Sequence, residues 1–281
     1  MIALVLRRQR GAIATVASVV GLCAAWIVAL ASASWQTSGL AQLPVAFMPL
    51  LIGLITGTTL FARELDHGEH LFTLTQSVRR TAWWSSAIAA AGVLTALAAG
   101  ALSLVSSLIG HRPRPALLDP VWFGTSGSVV IAYALLAFAV TATVGLLTRS
   151  TLAAVVTATV VHFMVLFVLF RLRDSYLPLE AVTTPAGALD FSTVPDGAFP
   201  VTHEYINGAG RPIGDAEIDR VCTDGLDADC ARRTDVIATR TWYQTPSHYW
   251  PLQLIETSIL LTLSVIVVAT GRIGLRQATR P

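Results

Sequence analysis

The chain contains no lysine; all 19 residues counted as Lys+Arg are arginine. A P-loop depends on a lysine that reaches the β/γ-phosphates, and Schiff-base and kinase-type chemistries also need one. Those activities are excluded, so any ATP used on its behalf must be bound by a different chain. Charge is scarce as well: 13% of the 281 residues are charged, against about 25% in a soluble domain. No GxSxG nucleophile motif and no HExxH metal pair occurs, and no catalytic residue is assigned. The expectation is therefore not an enzyme.

What is abundant is apolar sequence, at 54% of residues. A helix of about 20 apolar residues crosses a bilayer. Six such runs occur, at residues 11–33, 43–62, 82–109, 126–148, 151–170 and 251–271. They predict an all-α polytopic membrane protein with six transmembrane helices. The first run follows Arg7, Arg8 and Arg10, and Ala29-Leu30-Ala31 looks like a cleavage site. Its apolar stretch is longer than the roughly 7–15 residues of a signal peptide, which predicts a retained helix.

The arginines orient this array. With six spans, Arg7, Arg8, Arg10, Arg63, Arg79, Arg80, Arg149, Arg272, Arg276 and Arg280 share one side. Counting Glu64, Asp66 and Glu69, that side carries a net +7. The positive-inside rule places it, with both termini, in the cytoplasm. Residues 171–250 form an outer segment with seven arginines against twelve acidic residues, a net of −5. The expected organisation is residues 1–170 with helices 1–5, an extracytoplasmic subdomain at 171–250, and helix 6 with a tail at 251–281. Positive charge at membrane edges is a topology signal, so no nucleic-acid partner is expected.

Of three cysteines, Cys222 and Cys230 fall in the outer segment, where oxidation is permitted. Their stretch reads as a bridged surface turn; Asp224, Asp227 and Asp229 leave a calcium loop as the alternative. Cys23, inside the first run, reads as a buried thiol. His67 and His70 have helical spacing compatible with a metal, but Gly68 weakens that helix, and no metal site is expected. His162 and Glu256 are polar residues inside apolar runs, where such groups are functional candidates by default. For each the alternative is structural: a histidine bonded to a neighbouring helix, a carboxylate capping or packing near a helix start.

Between the second and third runs lies a patterned stretch at 61–84. Phe61, Leu65 and Phe72 share a helical face, with Arg63, Glu64, Asp66 and Glu69 around the rest. A short surface helix of mixed charge suits a protein partner better than anionic lipid. Trp83 and Trp84 mark re-entry at the headgroup level.

These residues resemble a family. Ala62-Arg63-Glu64-Leu65-Asp66-His67-Gly68, then Thr75-Gln76-Ser77-Val78-Arg79 and the tryptophan pair, are similar to the segment after the second helix in actinobacterial ABC-transporter permeases of the type-2 exporter class. Trp242-Tyr243-Gln244-Thr245-Pro246-Ser247-His248-Tyr249-Trp250-Pro251-Leu252-Gln253-Leu254-Ile255-Glu256 resembles the run by which such permeases enter their last helix. Thr245 displaces the usual proline and His248 stands where arginine is common. Arg8-Gln9-Arg10 resembles the family's N-terminal piece.

The resemblance implies a homodimeric permease in the plasma membrane, working with two copies of a P-loop ATPase that holds ATP and Mg. It implies that the stretch at about 63–80 is a coupling helix, carried by Arg63, Glu64, Leu65, Asp66, His67, Gly68, Glu69, Phe72, Thr75, Gln76, Ser77 and Arg79. The N-terminal residues 1–10 would be a second contact. It places substrate, a drug, lipid or peptide for efflux, at a dimer seam whose candidates are Gly53, Thr56, Gly57, Thr58, His162 and Glu256. The competing reading is a non-transporting sensor whose outer segment binds a ligand and signals through the cytoplasmic helix.

Overall fold

The computed structural model describes residues 39–59, 80–109, 118–185, 194–222 and 228–277, with scattered helical positions between 14 and 29. The expected first span, the coupling stretch and residues 1–10 lie largely or wholly outside the described residues. The chain divides into two compact units, the first of Met1–Pro113, Pro120–Phe170 and Gln253–Pro281, the second of Arg114–Asp119 and Arg171–Leu252.

The first unit is helical. Its elements are α1 (Gly39–Gly57), α2 (Arg80–Ile109), α3 (Pro120–Thr125), α4 (Val129–Thr148), most of α5 (Thr151–Tyr176) and most of α8 (Tyr249–Gln277). Four helices among the described residues are long and apolar enough to cross a membrane: Trp84–Ser107, Val129–Thr148, Thr151–Tyr176 and Pro246–Gly274. Phe47–Gly57 is a shorter apolar helix. The fourth expected run, 126–148, is the single helix α4, preceded by a turn at Ser126, Gly127 and Ser128 and by the short α3, which falls between the third and fourth expected runs. Gly127 adopts φ 71°, a left-handed backbone that costs glycine little.

Helix α4 is the core of this unit, buried on every side from Val129 to Gly145. It ends where Arg149, at φ 52°, turns its N–H to the Gly145 carbonyl at 2.9 Å. The Ser150 hydroxyl then accepts the Ala153 N–H at 3.3 Å to open α5. Met48 and Ile52 of α1, Ala98, Ala99 and Leu102 of α2, and Val130 and Ala134 of α4 form one apolar cluster. Trp84 and Ala91 meet Phe138 and Ala142 in another. Around this interior the polarity is reversed relative to a soluble protein. Leu152, Val156, Val160, Met164 and Phe167 of α5 are exposed, whereas Ala154, Ala158 and His162 face inward. An apolar exterior of that extent, on helices that satisfy their own backbone, fits lipid.

The second unit corrects the all-α expectation. It contains a four-stranded antiparallel sheet in the order β1-β4-β2-β3, from Glu180–Pro185, Phe199–Asn207, Pro212–Ile213 and Val236–Gln244. The long strands FPVTHEYIN and VIATRTWYQ are rich in β-branched and aromatic residues, which suit a pleated half-buried surface. At the β2–β3 turn, the Asn207 side-chain oxygen accepts the N–H groups of Ala209 and Arg211, at 3.1 and 2.8 Å. Tyr205 and Val236 pack beneath α6 (Asp215–Val221) and α7 (Ala228–Arg233) through Ile218, Cys222, Cys230 and Ala231. Cys222 and Cys230 are joined in a disulfide, with Cα atoms 5.8 Å apart. Val182, Val194, Ala198 and Tyr243 make a second cluster. A 3-10 turn at Pro246–His248 leads from β4 into α8.

Candidate functional site

The residues singled out from sequence fall at three different helix contacts of the first unit. The first is the packing of α1 on α4. A Cβ at Gly53 would stand 2.5 Å from the Ala134 carbonyl oxygen and 2.6 Å from the Ala137 Cβ. One at Gly57 would meet the Thr141 Cβ at 2.6 Å. The close approach these glycines permit is thus made with α4 of the same chain. Thr56, fully buried, donates to the Ile52 carbonyl at 2.8 Å and accepts the Thr95 hydroxyl of α2 at 2.9 Å. Thr58, half-buried, donates to the Leu54 carbonyl at 2.8 Å.

The second contact joins α4 to α5. His162 is buried, with its ring edge-on to Tyr133 at 5.4 Å and to Phe163 at 5.9 Å. Phe163 meets Phe47 of α1 in the same manner at 5.5 Å. Nδ1 of His162 has no hydrogen-bond partner among the described residues.

The third is the inward face of α8. Glu256 is fully buried there, three residues after the equally buried Gln253. Sequence reasoning singled out Glu256 and passed over Gln253, although both are polar residues in one apolar run. Gln253 carries three buried hydrogen bonds. Its amide donates to the carbonyls of Phe123 and Ser126 at 3.0 and 3.2 Å, and its oxygen accepts the Val129 N–H at 2.9 Å. The hydroxyls of Ser128 and Thr257 lie 2.9 Å apart beside it.

The other expected residues sit elsewhere. Arg63, Glu64, Leu65, Asp66, His67, Gly68, Glu69, Phe72, Thr75, Gln76, Ser77 and Arg79 lie outside the described residues, as do Asp224 and Asp227. In the second unit the Tyr243 hydroxyl donates to Glu180 at 3.2 Å. Burial, followed by that hydrogen bond and the Glu180 charge, pushes the phenol's pKa up, so it remains a donor.

Among the described residues, then, what is present is a helical membrane unit with a few polar groups on inward faces. Residues 4–173 match the family model described as ABC-2 membrane transporter related. No curated protein and no solved structure matches the chain. The family match covers more than half of the chain, including α1 through most of α5, and on that extent the protein belongs to the ABC-2 membrane transporter related family.

Proposed function

We propose that the chain is the permease subunit of an ATP-driven exporter, moving a hydrophobic or amphipathic substrate out of the cytoplasm or inner leaflet. The observation that carries this is the family match over residues 4–173. The absence of lysine supports it, because the energy source must be a separate P-loop ATPase. In this reading six helices cross the plasma membrane, both termini are cytoplasmic, and the second unit stands outside, where its disulfide is chemically at home.

Two copies of the chain would then pair with two ATPases holding ATP and Mg. The stretch from Arg63 to Arg79 would sit against the ATPase and transmit its closure to the two helices it joins. Gly53, Thr56 and Gly57 would hold α1 against α4 and α2, behind a substrate path to which Thr58, His162 and Glu256 contribute.

Affinity purification of the tagged chain from its native membranes, in mild detergent, tests the assignment. A P-loop ATPase is expected in stoichiometric amount. Recovery of a sensor kinase instead would favour the signalling alternative and overturn the exporter reading.

A further inference from the structure

The turn between α3 and α4 is a break in backbone hydrogen bonding inside an apolar unit. The carbonyls of Phe123 and Ser126 and the N–H of Val129 stand at these helix ends, where the regular intrahelical ladder stops. Gln253 satisfies three of these groups at once, donating to the Phe123 and Ser126 carbonyls and accepting from the Val129 N–H. It is fully buried, so no bulk water competes for these positions. One turn further along α8, the Thr257 hydroxyl meets Ser128, the residue preceding α4. From the opposite side, the Ser103 hydroxyl of α2 donates to the Gly127 carbonyl at 2.9 Å.

The other end of α8 is also seated on α4. The Thr143 hydroxyl donates to the Val267 carbonyl at 3.3 Å. A Cβ at Gly271 would come within 3.1 Å of the Trp84 ring and 3.2 Å of Thr143, and one at Gly274 within 2.7 Å of Leu147. The two helices are therefore tied by bonds near one end and by close approach near the other. Separating them would break three buried hydrogen bonds of Gln253, a loss that lipid does not make good.

We infer that α3, α4 and α8 form one rigid body, pinned by Gln253, which moves as a unit during transport, the conformational change being taken up at other contacts. The inference rests on the exporter reading for its functional meaning, while the pinning itself is a property of the isolated chain.

Two measurements test it separately. In the first, Ser128→Cys and Thr257→Cys are combined with Cys23→Ala, and the pair is crosslinked reversibly in the reconstituted permease–ATPase complex. Locking a contact that never opens should leave ATP turnover within about twofold of the reduced protein, whereas locking a moving contact stops the cycle. A drop of about tenfold or more on crosslinking, restored on reduction, overturns the inference. The second uses the chain alone in lipid nanodiscs. Gln253→Leu should raise amide exchange across residues 126–132 by about tenfold or more, with α1 unchanged. Unaltered exchange at 126–132 would show that Gln253 does not pin the turn. Should the chain assemble with no ATPase, the exporter reading fails by the first experiment, and the pinning is still decided by the second.

Discussion

The two units of this chain solve the same problem of cohesion with opposite materials. In the first, many large apolar side chains face outward as well as inward, because lipid supplies no hydrophobic drive for helices to associate. Cohesion comes from close backbone approach at Gly53 and Gly57 and from buried bonds such as Thr95 to Thr56. The second unit keeps its apolar groups inside, under a sheet, and adds a covalent tie at Cys222–Cys230. Its exposed ion pair, Arg240 with Glu204 at 3.8 Å, belongs to an aqueous surface. The lesson is that a substitution has to be judged by the solvent of its unit: in one, adding a methyl group is the injury; in the other, losing a crosslink is.

That contrast can be broken most forcefully at Gly53. Gly53→Leu forces a side chain into the Ala134 carbonyl and the Phe138 backbone, which already stand below contact distance for a Cβ alone. A cost of about 3 kcal/mol or more is expected from overpacking against backbone that cannot yield. Fluorescence-detected gel filtration should show the monodisperse peak lost, while Leu152→Ala, on the lipid-facing side, leaves it in place.

The second test falls on the other unit. Cys222→Ser with Cys230→Ser should cost about 2–3 kcal/mol by freeing a short loop in the unfolded chain. Limited proteolysis should then cut between residues 171 and 252, with the helical unit still protected. Loss of both units together would mean that their cohesion is shared.

A smaller effect is expected at Thr95→Val, which deletes one interhelical bond and keeps the shape. Such bonds in membranes average about 0.6 kcal/mol, so thermal unfolding in detergent should move down only slightly. Smallest of all is Arg240→Ala. Its pair is partly exposed and about 0–1 kcal/mol is the ordinary worth of such a contact; a larger loss in thermal unfolding would mean that the sheet face is covered.

Much of the helical unit was legible because long apolar runs leave few alternatives. The expected helices at 82–109 and 151–170 correspond to α2 and α5, whose ends run on by a few residues. The short helix α3, between the expected runs at 82–109 and 126–148, was not legible, since its six residues follow a proline-rich stretch that resembles a loop. The partner of the turn that follows it, Gln253, lies 124 residues from Val129, and no local pattern connects them. The glycine pair at 53 and 57 signalled a close helix approach but carried no address for the neighbour, which is α4. The sheet was missed for a different reason. Its strands lie within an acidic, turn-rich segment, where charge sorted by side dominates the reading, and burial along VIATRTWYQ does not follow a period of two that would mark it.

In the proposed exporter this lysine-free chain is driven by a separate ATPase through the stretch containing Glu64 and Asp66. The direct test is ATP turnover by the complex reconstituted in nanodiscs, comparing the native chain with Glu64→Arg combined with Asp66→Arg. Turnover that depends on the native permease, and falls about tenfold in the variant through lost coupling, is the predicted result. Equal turnover with native chain, variant and no permease at all would contradict coupling through this stretch.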